Sequence, residues 1–285
     1  MTDAWSHGKL TTNGIQLHYV TQGEGQLMLL LHGFPEFWYS WRHQIPEFAR
    51  DHKVVALDLR GYNDSDRPQA RSAYHMDELV KDIKGAIASL GYDRCILVGH
   101  DWGGAIAWQF VYRYPTQVDR LIILNLPHPA KFAQGLRTWR QLTRSWYILF
   151  FQLPRLPELL LQTNLHRVME NTFRGMAIDK SAFSDADIDA YTTALAKPGA
   201  LTAALNYYRN LLPLLLSPTD WPILFQTRTL MIWGEKDVAL GKELSEGTED
   251  YVQDFQIHYI PDCSHWVQQE QPQLVNQYIR EFLAG

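Results

Sequence analysis

The chain has 285 residues, and its 26 Lys or Arg against 31 Asp or Glu give a formal net charge of −5. The basic residues are scattered singly rather than in stripes, which disfavours a nucleic-acid partner. A length about twice the usual domain size allows one large core or a core with an insertion, and such a chain needs no disulfide or metal to fold. The composition therefore indicates an ordinary globular protein.

The sequence gives little sign of export or of membrane insertion. Cys95 and Cys263 are far apart and form no disulfide framework or metal motif, which favours a reducing, cytoplasmic location. Residues 1–10 lack the charged-then-apolar order of a signal peptide. The apolar runs Trp146–Leu153 and Leu211–Leu216 fall short of the roughly 18 residues that a membrane span requires. We expect no membrane span.

The first predicted element is a β-hairpin. Lys9–Thr12 and Ile15–Thr21 flank Asn13-Gly14, a dipeptide that tolerates the positive φ values of a two-residue turn.

After the hairpin, short apolar runs alternate with helical patterns. Continuous apolarity is typical of strands that are covered on both faces. The predicted strands are Leu27–Leu31, Val54–Leu57, Cys95–Val98, Leu121–Leu124, Thr229–Trp233 and Phe255–Ile260. The predicted helices are Met76–Leu90, Trp102–Tyr114 and Gln271–Leu283. This order predicts an α/β fold, a mostly parallel sheet with helices on both faces.

One long stretch interrupts the alternation. Residues 129–222 contain helix-compatible segments broken by prolines and glycines, and no convincing strand. Open α/β folds bind ligands at the carboxyl ends of their strands, so we expect this insertion to form a helical cap there. Extra helices packed on the sheet edge are the alternative. The predicted domains are a core of residues 1–128 and 223–285 and a cap of residues 129–222.

The sharpest local motif joins a buried-type strand to a helix that begins with small residues. In Gly99-His100-Asp101-Trp102-Gly103 the apical residue is expected to have a strained backbone, and the flanking glycines relieve the crowding. The motif is a nucleophile elbow with Asp101 in place of the usual Ser. A carboxylate is ionised at about pH 7 and suits displacement at saturated carbon. The expected product is an alkyl ester of Asp101.

Hydrolysis of such an ester needs a base. His265, which follows the last predicted strand, is the candidate. Asp237, which follows the preceding strand, is the candidate partner that orients the imidazole. The order nucleophile, acid, histidine is the order that elbow-bearing α/β folds use. Glu235 is the alternative acid.

Hydrolysis also needs donors for the oxyanion, and these are expected to be two backbone amides. One belongs to Trp102, the residue after the nucleophile. The other belongs to Phe34 in the loop His32-Gly33-Phe34-Pro35, which follows an early strand. A plain strand-ending turn is the alternative interpretation of this loop, and the elbow makes it less favoured.

The elbow, the His-Gly-Phe-Pro loop and Pro261-Asp262-Cys263-Ser264-His265-Trp266 resemble the α/β-hydrolase-fold epoxide hydrolases, and the similarity extends over nearly the whole chain. The resemblance implies two cap tyrosines that hydrogen-bond the epoxide oxygen. Leu205-Asn206-Tyr207-Tyr208-Arg209-Asn210 resembles one of the motifs that carry them, and Ser145–Gln152 resembles the other. These matches assign the roles to Tyr208 and Tyr147.

The chemistry calls for such donors independently of any resemblance. Ring opening develops an alkoxide, and a phenol with a pKa of about 10 can donate a hydrogen bond and then a proton. Helical periodicity alone leaves Tyr207 and Tyr208 as equal candidates, since each lies on an apolar stripe where packing is the simpler role. Only the motif favours Tyr208.

The predicted function is therefore hydrolysis of an epoxide to a vicinal diol. The expected partners are a small apolar epoxide and water, without nucleic acid, metal or organic cofactor, and the chain is expected to be a monomer or homodimer. The substrate is expected to contact Phe34, Trp102, Tyr147 and Tyr208. A haloalkane dehalogenase with the same Asp101 nucleophile is the nearest alternative, although a departing halide needs no proton source. A non-catalytic binding module is disfavoured because nucleophile, acid and base candidates are all present.

Two further positions carry expectations. Asn63 stands in the loop Asp58–Asp66 where the resemblance leads us to expect Gly, and Asn tolerates left-handed backbone, so the loop should persist. His128, where the cap would begin, is expected to act as a hinge residue rather than in the site.

Overall fold

The protein is described by a computed structural model that covers residues 5–211 and 224–285. Its centre is one eight-stranded sheet with the order β1-β2-β4-β3-β5-β6-β7-β8. The strands are β1 (Ser6–Thr12), β2 (Ile15–Gln22), β3 (Gln26–Leu31), β4 (His52–Leu57), β5 (Cys95–His100), β6 (Val118–Leu124), β7 (Thr229–Gly234) and β8 (Phe255–Ile260). Strand β2 runs antiparallel to its neighbours, and all other pairs are parallel.

The predicted hairpin is confirmed. Asn13 and Gly14 have φ values of 46° and 75°, and their turn places Thr12 opposite Ile15. Every predicted strand lies in the sheet. The apolar runs underestimate the lengths of β4 and β6. These strands begin two and three residues, respectively, before the predicted starts. The added residues at the start of both strands include polar side chains that are only partly buried, so apolarity alone does not reveal them.

Helices cover both faces of the sheet. The α-helices of the described residues are α1 (Ile45–Phe48), α2 (Met76–Ser89), α3 (Trp102–Arg113), α4 (Pro129–Gly135), α5 (Trp139–Arg144), α6 (Trp146–Phe150), α7 (Leu156–Thr163), α8 (Leu165–Phe173), α9 (Asp185–Ala196), α10 (Ala200–Arg209), α11 (Val267–Glu270) and α12 (Pro272–Ala284). The three predicted helices correspond to α2, α3 and α12, with ends within one residue of the expectation. The predicted α/β class is confirmed.

All regular secondary structure within residues 129–211 is helical. Hydrogen bonds join this segment to loops at the carboxyl ends of the strands. The hydroxyl of Tyr39 donates to Asp187, the hydroxyl of Tyr207 donates to the Arg60 carbonyl, and the indole of Trp266 donates to the Thr172 carbonyl.

The cap boundary at residue 222, the prolines at 213, 218 and 222, and residues 212–216 of the second apolar run lie outside the described residues. The division into core and cap stays a prediction. In the described part of the chain, no helix is both long enough and apolar enough to cross a bilayer.

Candidate active site

Asp101 occupies the turn between β5 and α3. Its φ of 49° and ψ of −119° lie outside the regions that side chains usually adopt, as the elbow motif predicts. The turn is crowded by backbone on both sides. A Cβ at Gly99 would lie 2.5 Å from the Gly103 carbonyl oxygen, and a Cβ at Gly103 would overlap the Leu31 carbonyl. Glycine is therefore needed at both positions for α3 to begin here.

The His-Gly-Phe-Pro loop holds one oxygen of the Asp101 carboxylate. The Phe34 amide donates a hydrogen bond of 2.8 Å to Oδ1. A Cβ at Gly33 would overlap Cβ of Asp101, so only glycine lets this loop approach so closely. Trp102 is the first residue of α3, and its amide belongs to the positive N-terminal end of that helix. Of the two predicted donor residues, Phe34 contacts the Asp101 carboxylate directly and Trp102 follows Asp101 in the chain.

His265 stands between two carboxylates. Its Nδ1 lies 2.6 Å from Oδ2 of Asp237, and its Nε2 lies 3.7 Å from Oδ2 of Asp101. Backbone amides fix the second carboxylate, because Ala239 and Leu240 donate to Oδ1 of Asp237 at 2.8 and 2.9 Å. The imidazole therefore has one nitrogen held in place and the other turned toward Asp101.

The three side chains shift one another's pKa values. Burial alone would lower the pKa of His265, but the charges and hydrogen bonds of Asp237 and Asp101 raise it well above its usual value. Burial alone would raise the pKa of both carboxyls, but the hydrogen bond and charge of His265 hold the pKa of each below its usual value. The arrangement therefore favours an ionised Asp101 and a protonated His265.

Tyr208 and Tyr147 lie against each other above the elbow, with ring centroids 5.8 Å apart. The ring of Tyr208 also meets Trp102 at 5.1 Å and Phe34 at 5.2 Å, both edge to face. Burial and then the charge of Asp101 raise the pKa of both tyrosines. The phenols are therefore protonated and lie within electrostatic reach of the carboxylate.

The neighbouring Tyr207 has different surroundings. Its hydroxyl donates a 2.7 Å hydrogen bond to the Arg60 carbonyl, and its ring is fully buried against Tyr62 and Trp102. This hydroxyl group is therefore bonded to the loop that follows β4. Of the two tyrosines that periodicity could not separate, only Tyr208 packs against Tyr147 and Phe34.

Three other predicted positions lie apart from the carboxylates and imidazole. Glu235 pairs with Lys242 rather than with His265. His128 accepts a hydrogen bond from the Ala130 amide at the start of α4, and its ring stacks on Tyr251. Asn63 has a φ of 40°, so the left-handed conformation expected there is present.

Asn125 was missed by the sequence reasoning. Its side-chain nitrogen donates to Oδ2 of Asp237 at 2.7 Å, and its side-chain oxygen accepts from the Gly234 amide at 3.0 Å. It ties the end of β6 to the end of β7. A polar residue directly after an apolar strand is the signal that would have revealed it.

A second missed feature is a buried chain of polar groups beneath the site. His100 Nε2 lies 2.9 Å from the His265 carbonyl oxygen, and His100 Nδ1 lies 2.7 Å from Glu36. The other oxygen of Glu36 accepts from the side chains of Gln268 and Gln269. These contacts join the His-Gly-Phe-Pro loop to the loop that carries His265.

One group of potential metal ligands occurs among the described residues. His18, Asp58 and Asp64 have ligand atoms within 4.8 Å of one another. The Nδ1 of His18 already lies 2.6 Å from Asp58, and Asp64 pairs with Lys197. These contacts account for the polar groups without an ion.

Comparison with known proteins assigns the family. The profile of the alpha/beta hydrolase fold matches residues 26–272. Epoxide hydrolase 4 of Mus musculus is 43% identical over 283 residues, which is 96% of this chain and 78% of that protein. Epoxide hydrolase 1 of Caenorhabditis elegans is 40% identical over 99% of this chain and 71% of that protein.

A solved structure extends the match to three dimensions. An epoxide hydrolase mutant from Bacillus megaterium, complexed with its product (R)-3-[1]naphthyloxy-propane-1,2-diol, has a TM-score of 0.87 and 38% identity, and the match covers 98% of this chain and all of that chain. The elbow geometry, the profile match and these relatives lead to one conclusion. The chain belongs to the epoxide hydrolases of the α/β-hydrolase fold.

Proposed function

We propose that this enzyme hydrolyses apolar epoxides to vicinal diols in two steps, through an alkyl ester on Asp101. The observation that carries the proposal is that the loop which holds the Asp101 carboxylate also packs against the pair of tyrosines. The Phe34 amide donates to Oδ1 of Asp101 at 2.8 Å, and the Phe34 ring packs edge to face on Tyr208, which in turn packs on Tyr147. Burial and then the charge of Asp101 raise the pKa of both tyrosines, which agrees with this proximity.

In the first step an oxygen of Asp101 attacks one ring carbon, and the bond from that carbon to the ring oxygen breaks. The electron pair stays on the ring oxygen, which takes a proton from Tyr147 or Tyr208. Burial and then the charge of Asp101 raise the pKa of both phenols, so both are protonated in the free enzyme and available as donors. Esterification of Asp101 removes its charge, which otherwise opposes loss of the proton. The product of this step is a hydroxyalkyl ester of Asp101.

In the second step His265 removes a proton from water, and the resulting hydroxide attacks the ester carbonyl. The amides of Phe34 and Trp102 stabilise the oxyanion until it collapses and releases the diol. On collapse the leaving diol oxygen takes the proton of the newly formed Asp101 carboxyl group, so Asp101 is again a carboxylate and His265 is again protonated, as in the free enzyme. The balance of the two steps is epoxide plus water to diol, and the enzyme is regenerated.

The electrostatics support the order of these steps. In the free enzyme the charge of Asp101 contributes to the raised pKa of His265, which favours the protonated imidazole. Esterification neutralises that carboxylate and removes part of the cause, so the pKa of His265 falls. The imidazole then gives its proton to the phenolate left by the first step and is free to act as the base of the second step. Asp237 remains charged and keeps the imidazole oriented.

Aromatic rings surround the proposed reaction space. Phe34, Phe151 and Trp102 each lie within 5.2 Å of the Tyr208 ring, centroid to centroid. Such a lining suits an apolar, ring-bearing substrate. The Bacillus megaterium relative holds an aryloxy-propanediol, and we propose aryl glycidyl ethers as the substrate class here. The helices of residues 129–211 act in this proposal as the cap that carries both phenols.

A side-by-side assay tests the function. Purified enzyme is given naphthyl glycidyl ether or a 1-bromoalkane, and diol and bromide are measured. We expect diol from the ether and no bromide from the alkane. Bromide release without diol formation would instead support the haloalkane dehalogenase that shares an Asp nucleophile. Styrene oxide serves as a smaller epoxide, and its turnover without turnover of the ether would contradict the substrate class. No turnover of any of the three compounds would contradict the enzymatic function and support a binding module.

A further inference from the structure

Helices α5, α6 and α7, with the turn between α6 and α7, expose a set of large apolar side chains, here called the apolar stripe. The stripe consists of Trp139, Leu142, Trp146, Leu149, Leu153, Leu156, Leu159 and Leu160. Trp139 is 80% exposed, and Trp146 and Leu149 are each 63% exposed. These side chains recur every three or four residues from 139 to 156, with Leu159 and Leu160 adjacent, along three short consecutive helices.

The stripe does not face the protein core. The inward side of α5 and α6 is formed by Gln141, Ser145 and Ile148, which are all buried. Gln141 donates to the hydroxyl of Ser145 and to the Ala239 carbonyl, which fixes this side against the core. The helices are therefore apolar on the side that meets water, the opposite of a normal surface helix. Exposed apolar rows of this extent mark interaction surfaces.

The charge around the stripe is opposite in sign to the charge of the whole protein. Residues 129–169 contain six Lys or Arg and one acidic residue, Glu158, in a chain of net charge −5. Glu158 pairs with Arg209, whereas Arg140 and Arg144 are both compensated by Glu243. Among the described residues, no ion pair involves the exposed side chains of Arg137, Arg155 or Arg167.

We propose that the apolar stripe docks on the surface of an anionic lipid bilayer. Exposed Trp and Leu with neighbouring Arg are the combination that lies in the interface between headgroups and acyl chains, where the rings enter the boundary and the guanidinium groups meet phosphate. Anionic headgroups would neutralise the positive charge of Arg137, Arg155 and Arg167. The docking is peripheral and needs no membrane span.

Charge also argues against a second copy of the chain as the occupant. In a two-fold symmetric dimer the same surface meets itself, so the basic residues around one stripe would face those around the other. Like charges at such an interface disfavour association. A bilayer with anionic headgroups satisfies the apolar residues and the charges together.

The stripe also lies beside the candidate site. Tyr147 is the residue after Trp146 in α6, and its ring contacts Tyr208 on the inner side of the cap helices. Docking by the stripe would therefore hold the site close to the acyl region, where apolar compounds accumulate. The docking itself does not depend on the proposed function.

Co-sedimentation of the full chain with lipid vesicles tests the proposal. We expect binding to phosphatidylglycerol vesicles at least about tenfold tighter than to phosphatidylcholine vesicles, and weaker binding as salt is added. Trp139→Ser with Trp146→Ser should abolish binding, whereas Ile178→Ser, at a residue 50% exposed outside the stripe, should leave it unchanged. Thermal melts establish that all variants remain folded.

A charge variant makes the test independent of the tryptophans. Arg137→Gln with Arg155→Gln should weaken binding to phosphatidylglycerol by roughly 25-fold, at about fivefold for each Arg. The matched control is Arg50→Gln, because the Arg50 side chain is 71% exposed outside residues 129–169. The proposal is overturned if the parent protein sediments with neither vesicle or if the tryptophan variant binds like the parent. A dimer in gel filtration that the tryptophan variant loses would identify a second copy as the occupant and would equally overturn it.

Discussion

The Phe34 amide holds Oδ1 of Asp101 at 2.8 Å, while Oδ2 of the same carboxylate lies 3.7 Å from Nε2 of His265. The two oxygens are therefore not equivalent. An oxygen that already accepts from a backbone amide sits where the oxyanion of ester hydrolysis would form. We infer that Oδ2 attacks the epoxide and that Oδ1 becomes the ester carbonyl oxygen.

Labelled water tests this covalent route. Because water attacks the ester carbonyl and not the ring carbon, one turnover in heavy-oxygen water should leave the label on Asp101 and produce unlabelled diol. Mass spectrometry of the diol and of the peptide that contains Asp101 measures both. Label in the diol after a single turnover would indicate direct attack of water on the epoxide, which the proposal does not allow.

Replacement of the proposed base should trap the ester. In His265→Gln we expect the first step to proceed and the second to slow by at least about 10⁴-fold, so that the ester accumulates as a mass adduct on the Asp101 peptide. Asp101→Asn is the matched control, because it preserves shape, removes the nucleophile and should form no adduct. An adduct on any other residue would contradict the assignment of Asp101.

The tyrosines allow a comparison of neighbours. Tyr208→Phe and Tyr147→Phe should each lower kcat for epoxide opening by about 100-fold, and the double variant should lose nearly all activity, since each variant removes one donor to the developing alkoxide. Steady-state kinetics with naphthyl glycidyl ether measure the loss.

Tyr207→Phe is the control for the same chemical change one residue away. It removes the hydrogen bond to the Arg60 carbonyl, so we expect a loss of about 1–3 kcal/mol in the free energy of unfolding and little loss of kcat. Urea denaturation measures the first and the diol assay the second. Near-normal epoxide turnover in the double variant of Tyr147 and Tyr208 would remove both from the mechanism.

Gly33 offers a steric test of the oxyanion loop. A Cβ at this position would overlap the Cβ of Asp101, so Gly33→Ala should push the Phe34 amide away from the carboxylate. We expect a fall in kcat of about 100-fold or more, as for loss of an oxyanion donor. Gly91→Ala is a control without steric overlap, although its φ of 86° makes any side chain costly for stability. Full activity in Gly33→Ala would show that this amide is dispensable.

The strands of the sheet and the positions of Asp101, Asp237 and His265 could be predicted because each depends on a short stretch of sequence. Asp101, Asp237 and His265 follow apolar strands, and parallel strands bring their carboxyl ends to one edge. The choice between Tyr207 and Tyr208 could not come from periodicity, since adjacent residues of a helix differ by about 100° and the rotation of α10 is set by tertiary contacts. The hydrogen bond from Tyr207 to Arg60 is such a contact.

The pair of His265 and Asp237 should make stability depend on pH in a defined direction. The folded-state pKa of His265 is raised well above the unfolded value of 6.5, so the stabilisation is complete below about pH 6.5 and is lost as pH rises through the folded pKa. We expect the free energy of unfolding to fall by at most about 1.4 kcal/mol per pH unit in that range. Urea denaturation across it measures the fall, which His265→Gln should abolish. In Asp101→Asn one cause of the raised pKa is gone, so the fall should still begin at about pH 6.5 but end at lower pH and be smaller in total. An unchanged profile in both variants would refute the charge pairing.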